Sequence, residues 1–164
     1  MTDAWPPARR DSVGEGIVLS CAVLGLVASV LPWYSEGVSV FGFSASVSLN
    51  AWHAGVEAWL SILALVLAGV IVLVFGASVT RTASRWCWPT VAGLAVGAAA
   101  CLGDAWTNWA RHDDTGNQAM DGLSGHGLGW LLAMDAGPGI GFYLGVLATL
   151  VAGATAMYCI RMPG

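Results

Sequence analysis

The chain has 164 residues, of which 57% are hydrophobic and only 10% charged, with a mean hydropathy of +0.71. Soluble domains carry charge on about a quarter of their residues, so a freely dissolved globule is excluded. The net charge is −4 and the whole basic complement is six arginines, with no lysine, which leaves no basic surface for nucleic acid.

Four apolar segments follow one another along the chain: Gly16 to Leu31, Ala54 to Phe75, Pro89 to Leu102 with flanking tryptophans, and Gly139 to Ile160. A crossing of about 30 Å takes roughly 20 helical residues, and each segment reaches that length once its interfacial flanks are counted. The predicted fold class is an all-α integral membrane protein, a four-transmembrane-helix bundle with a small extracytoplasmic β-hairpin. Its single membrane domain, residues 1–164, has helices at about 16–33, 54–75, 86–106 and 138–160, and outer loops at 34–53 and 107–137.

Charge between the spans sets the orientation. Arg9 and Arg10 precede the first span, Arg81 and Arg85 join the second to the third, and Arg161 follows the fourth, whereas only Arg111 lies in the other loops. The positive-inside rule then predicts a multi-pass cell-membrane protein with both termini cytoplasmic. Trp33, Trp52, Trp59, Trp106, Trp109 and Trp130 cluster at the outer ends and Trp86 and Trp88 at an inner end, as expected of rings that keep an N–H near headgroups. Arg9 and Arg10 before an apolar run also have the form of a signal peptide, with Val27-Ala28-Ser29 as its cleavage site. Its removal would leave three spans and move the N-terminus across the membrane, so the run is read as a retained helix. Cys21, Cys87, Cys101 and Cys159 all fall within spans or near the inner surface, and no disulfide is predicted.

Small residues suggest how the helices meet. Gly137, Gly141, Gly145, Thr149 and Gly153 recur every fourth position on helix four, Gly93, Gly97 and Cys101 on helix three, and Cys21, Gly25 and Ser29 on helix one. In lipid, close approach along such stripes is a main source of attraction. Helices one, three and four are therefore expected to form the tight core. Helix two, bulky all round from Leu60 to Phe75, is expected to face lipid or a partner.

Between the first two spans, Phe41, Phe43, Ala45, Val47 and Leu49 alternate with Gly42, Ser44, Ser46 and Ser48, the period of a half-buried strand. Val38-Ser39-Val40 can pair back on it through a turn near Gly42. A lone hairpin is marginal in water, so its apolar face is expected to rest on the second outer loop, the membrane surface or another protein. In that loop a glycine-rich stretch, residues 122–129, leads into Trp130-Leu131-Leu132-Ala133-Met134, too short to cross and suited to lie in the interface or cover the hairpin.

The candidate polar site is at the outer mouths of helices two and three. His53 and Glu57 are four residues apart, and Asp104, Asn108 and Arg111 form a second stripe if helix three extends that far. Carboxylates inside a span are functional candidates by default, although these stand close to the interface, where pairing with Arg111 or headgroups is the plainer role. A proton or cation site is one alternative. Zinc on His53, Glu57, Asp104 and one of His112 or His126 lacks any short His/Cys ligand spacing. Calcium at Asp113, Asp114 and Asn117 lacks the spacing of a calcium loop. Neither metal nor cofactor is expected. No phosphate loop, metalloprotease helix or nucleophile elbow occurs, and Pro89 and Pro138 stand at span ends instead of interrupting a helix at mid-membrane as transporters often require.

A span ending in Leu31-Pro32-Trp33, a short Ser/Gly-rich outer segment, and Ala51-Trp52 leading into the second span resemble the small, tryptophan-rich, four-helix membrane proteins of actinobacteria, mainly over residues 17–75. Some of these resemble accessory subunits of envelope transport or respiratory assemblies. The resemblance implies no catalytic residues. The expected function is that of an accessory or scaffolding subunit, not an enzyme, of a larger cell-envelope membrane complex, with the lipid bilayer and other membrane protein subunits as partners. The alternative is a small-molecule- or ion-responsive protein with an outer-face pocket.

Overall fold

The structure is a computed structural model that describes residues 8–40, 43–76, 81–124 and 132–161, with side-chain surroundings for residues 13–37, 45–75, 86–111 and 137–161. In chain order its elements are α1 (Ala8–Val30), β1 (Pro32–Val40), β2 (Phe43–Asn50), α2 (Val56–Ile71, continued by one π-helical turn, Val72–Gly76), α3 (Arg81–Ser124), β3 (Leu132–Pro138) and α4 (Ile140–Arg161). The molecule is mostly helical. Four of its helical stretches, Val13–Val30, Val56–Phe75, Trp86–Arg111 and Ile140–Arg161, are long and apolar enough to cross a membrane.

The helices form a ring in which each packs on its sequence neighbours, and α1 closes it against α4. Three buried layers run along the bundle. At one end are Val18, Ala68, Val72, Cys87, Trp88, Val91 and Ala156, in the middle Cys21, Leu65, Ala148 and Ala152, and at the other end Trp33, Ala51, Ala58, Ile62, Leu102 and Phe142. Alanine recurs in every layer, which lets the helices approach closely without a glycine at each contact.

This packing corrects two expectations. Helix two is not peripheral: Ala58, Ser61, Ile62, Leu65, Ala68 and Gly69 make one buried face, and a Cβ on Gly69 would stand 2.7 Å from Ala22 Cβ. Its bulky residues Leu63, Leu67 and Val70 occupy the exposed side. On helix three, Gly93 and Gly97 face open space. The buried stripe of that helix is instead Val91, Ala95, Ala98, Leu102 and Ala105, at the 3-4 spacing of a packing seam.

Helix four keeps its glycine face, with a different neighbour from the one expected. Trp33 is fully buried, and a Cβ on Gly141 would stand 2.5 Å from its Cδ1 and 2.8 Å from Ala28 O, and one on Gly145 3.1 Å from its Cζ2. The two glycines therefore clear room for an indole, whereas Gly153 meets Ala95 of α3. Gly137 lies in β3, outside the helix, with open space before it.

Helix one ends earlier than expected, at Val30. Proline disfavours helical conformation in the residue before it and has no N–H to donate, so Pro32 opens a strand and takes Trp33 into it. Two of the carbonyls left near the helix end are still satisfied. Ala28 O accepts from Leu31 N at 3.1 Å and from Trp33 Nε1 at 2.7 Å, and Ser29 O accepts from Ala51 N at 3.2 Å.

The expected hairpin is two strands of a three-stranded antiparallel sheet, ordered β2-β1-β3. Val40 pairs with Phe43, so residues 41–42 alone connect β1 to β2, and both lie outside the described residues. The third strand begins in the segment expected to lie in the interface or cover the hairpin: Leu132 to Pro138 pairs along β1 from Val40 to Tyr34. Trp130 and Leu131 lie outside the described residues. Helix three also exceeds its expected bounds. It starts at Arg81, passes through Pro89 and continues to Ser124, 44 residues in all, so its stretch beyond Arg111 adds about 20 Å past the apolar span.

Candidate functional site

The end of the bundle that carries the sheet is held by aromatic rings. Phe142 lies at the hub, edge-on to Trp33 (6.0 Å, 82°) and Trp109 (5.0 Å, 63°) and stacked with Trp106 (5.9 Å, 24°). Tyr34 stacks on Trp109 at 5.2 Å. These contacts bind α4, α3 and the root of β1, and such pairs contribute about 0.5–1.5 kcal/mol each beyond area burial.

Beside this cluster are the polar residues singled out in the sequence. Asn108 Nδ2 donates to Glu57 Oε1 at 3.4 Å, joining α3 to the first turn of α2, and both side chains are half-buried. Glu57 also stands at a helix N-terminus, where a negative charge meets the positive end of the backbone dipole. His53 is placed elsewhere. Helix two begins only at Val56, and Gly55, at φ 129°, breaks the path before it, so His53 belongs to a turn and not to the helical face that carries Glu57. Its Nδ1 pairs with Asn50 Oδ1 at 2.8 Å.

Asp104 and Arg111 lie exposed on α3, which does extend through both. Among the described residues, His53 is held by Asn50 and Glu57 by Asn108, and no three His, Cys, Asp or Glu groups converge on a metal-sized site. The side chains of His112, Asp113, Asp114, Asn117 and His126 fall outside that description. The geometry supports a two-residue tie between helices that can fix the entry of α2. Cys21 and Cys87 are buried, and Cys101 and Cys159 are half-buried.

Beyond the aromatic cluster the sheet offers a surface that the sequence revealed only in part. Directly opposed residues of an antiparallel pair share a face. The register therefore assigns Phe43, Ala45, Val47 and Leu49 of β2, Val40, Val38, Glu36 and Tyr34 of β1, and Leu132, Met134, Ala136 and Pro138 of β3 to one face. The opposite face takes Ser44, Ser46 and Ser48, then Ser39, Gly37 and Ser35, then Ala133, Asp135 and Gly137. Among the described side chains of the apolar face, Tyr34 at the root is buried under Trp109, whereas Ala45 is exposed and Val47 is 63% exposed. The outer edge of β2, eight residues, carries neither proline nor charge, two of the devices that discourage strand pairing. Period-two alternation in Leu132, Met134 and Ala136 is the signal that could have found β3.

No protein-family model matches this chain, and no curated protein matches it either.

Proposed function

We propose that the chain is a multi-pass membrane protein with cytoplasmic termini, and that it works as a non-catalytic accessory or scaffolding subunit of a larger cell-envelope membrane complex. The observation that carries this reading is the half-covered sheet. Its apolar face is anchored at Tyr34 and left open at Ala45 and Val47, and covering apolar surface of that kind stabilises by about 25 cal/mol per Å² removed from water. A partner subunit that covers the face, or adds a strand to the uncharged β2 edge, supplies that support. The spans are held to the membrane by their length and hydropathy.

Gentle detergent extraction followed by mass determination tests the reading: the chain should co-purify at fixed stoichiometry with unrelated membrane subunits, and recovery of the chain alone would overturn it. An impermeant thiol reagent should label Ser46→Cys in intact cells and Arg161→Cys only after the cytoplasmic face is opened; the reverse pattern would invert the topology. The second reading, an ion- or small-molecule-responsive outer site, is favoured by one observation, the Glu57–Asn108 pair across two helix mouths. Loss of a pH- or ion-dependent response in a normally assembled Glu57→Gln variant would promote it.

A further inference from the structure

The register of the sheet fixes which backbone groups of β2 point outward. Successive residues of a strand aim their N–H and C=O to alternate sides, so each neighbour of a central strand bonds every second residue. Trp33 O accepts from Gly139 N at 2.8 Å, one step beyond the Tyr34–Pro138 pair of the β1–β3 ladder. The odd residues of β1 therefore bond toward β3. Pro138, which has no N–H to give, falls opposite Tyr34 at a pair that needs none. The even residues Tyr34, Glu36, Val38 and Val40 bond toward β2, where their partners are Leu49, Val47, Ala45 and Phe43. The N–H and C=O of Ser44, Ser46 and Ser48 are thus aimed away from β1, along an edge with no further strand among the described residues.

These groups repeat about every 6.8 Å, the two-residue repeat of an extended chain, and another extended backbone matches that repeat. A second copy of this chain fits poorly. Paired antiparallel at β2, it would carry its helix bundle at the tips of the first copy's strands and not beside the first bundle. Paired parallel through a two-fold axis, it would set its serine face next to the first copy's apolar face. Charge describes the occupant further. Glu36 is exposed on the apolar face directly opposite Val47. An added strand would lie about 10 Å from β1, so a basic side chain laid across Val47 reaches that carboxylate. We propose that the β2 edge takes an extended segment of a partner polypeptide as a fourth strand, bonded at Ser44, Ser46 and Ser48. The segment alternates apolar with small polar residues and sets an arginine or lysine beside Val47. Strand addition of this kind draws affinity from main-chain bonds and specificity from alternate side chains. The proposal deepens the scaffold reading and rests on it for the source of the partner.

The probe is a synthetic peptide, acetyl-Thr-Val-Thr-Arg-Thr-Val-Thr-amide, added to the full chain in detergent micelles with amide hydrogen exchange followed by NMR. Before addition, Ser44, Ser46 and Ser48 should exchange about tenfold or more faster than Ala45 and Val47, and the peptide should slow those three about tenfold. Ser46→Pro removes an outward N–H and no bond to β1, as edge positions tolerate. It should keep the circular dichroism and thermal midpoint and weaken peptide binding about tenfold. The same peptide N-methylated at every threonine cannot donate to the edge, and should give the wild-type chain no protection. Glu36→Gln should weaken binding about threefold; undiminished binding there would overturn the basic residue. Equal exchange of the serines and their neighbours before addition, no protection by the peptide, or protection by its N-methylated form would overturn the strand site. So would a wild-type dimer that Ser46→Pro converts to monomer, which would make a second copy the occupant. If membrane subunits co-purify equally with wild type and Ser46→Pro, the edge fails and the scaffold reading stands. If the peptide binds as expected but the chain is extracted alone, the edge stands and the scaffold reading fails.

Discussion

The two ends of β1 present similar chemistry in opposite situations. At its root, Trp33 and Tyr34 are buried, one against Gly141 and Gly145 of α4 and the other on Trp109 of α3, and the indole N–H is satisfied at 2.7 Å. Further out, the register continues the apolar face into β2, where Val47 and Ala45 have no such cover. The root is self-sufficient because three helices converge there. Among the described residues, Ala45 and Val47 of the outer part stand exposed, so the root is enclosed and the outer part leaves a surface.

The largest effect should come from removing the root. Trp33→Ala empties a fully enclosed site, and large aromatic truncations of that kind cost about 3–5 kcal/mol; thermal unfolding in detergent should show a collapse of the folded population. Retention of the wild-type midpoint would mean that the glycine face of α4 closes without the indole. Gly141→Leu should come next, because its side chain would strike both the indole and the Ala28 carbonyl, and overpacking costs about 1–3 kcal/mol or more. Gly93→Leu, on the open side of α3, should be silent in the same assay. Equal losses would erase the distinction between the two glycine faces.

The exposed end should behave in the reverse way. Val47→Asp should leave the thermal midpoint of the isolated chain within about 0.5 kcal/mol of wild type, as surface substitutions usually do, yet reduce co-purification with the partner. Ser46→Asp, on the opposite face, should do neither. A modest effect is expected at Glu57→Gln, which keeps an acceptor for Asn108 and removes only the charge, so stability should fall by no more than about 1 kcal/mol. A larger loss would show that the carboxylate, and not the hydrogen bond, fixes the entry of α2.

How much of this was legible in the sequence depended on how strong a period each element carried. The four apolar stretches announce themselves by length alone. The strict alternation of β2 was equally clear, whereas β1 mixes Pro32, Glu36 and Gly37 into its pattern and β3 is seven residues ending in Gly137 and Pro138. Packing faces were harder to read. Glycine drew attention to Gly93 and Gly97, but the smooth positions buried on α3 are Ala95, Ala98 and Ala105, and alanine in so alanine-rich a chain gives no contrast. On α2 the bulky residues hid a narrow face of Ala58, Ser61, Ala68 and Gly69. At the polar cluster, Asn108 reaches Glu57 at the α2 mouth, whereas His53 stands before Gly55, outside the helical face that its four-residue spacing from Glu57 suggests.

The most direct test of the account is photo-crosslinking in intact cells, with the reactive side chain placed at Val47 in one variant and at Ser46 in another. The account predicts a discrete adduct to an unrelated membrane or envelope polypeptide from position 47 and little from position 46, because adjacent residues of a strand point to opposite faces. Equal capture from both positions, or none from position 47, would contradict the claim that the open face of the sheet is where the partner docks.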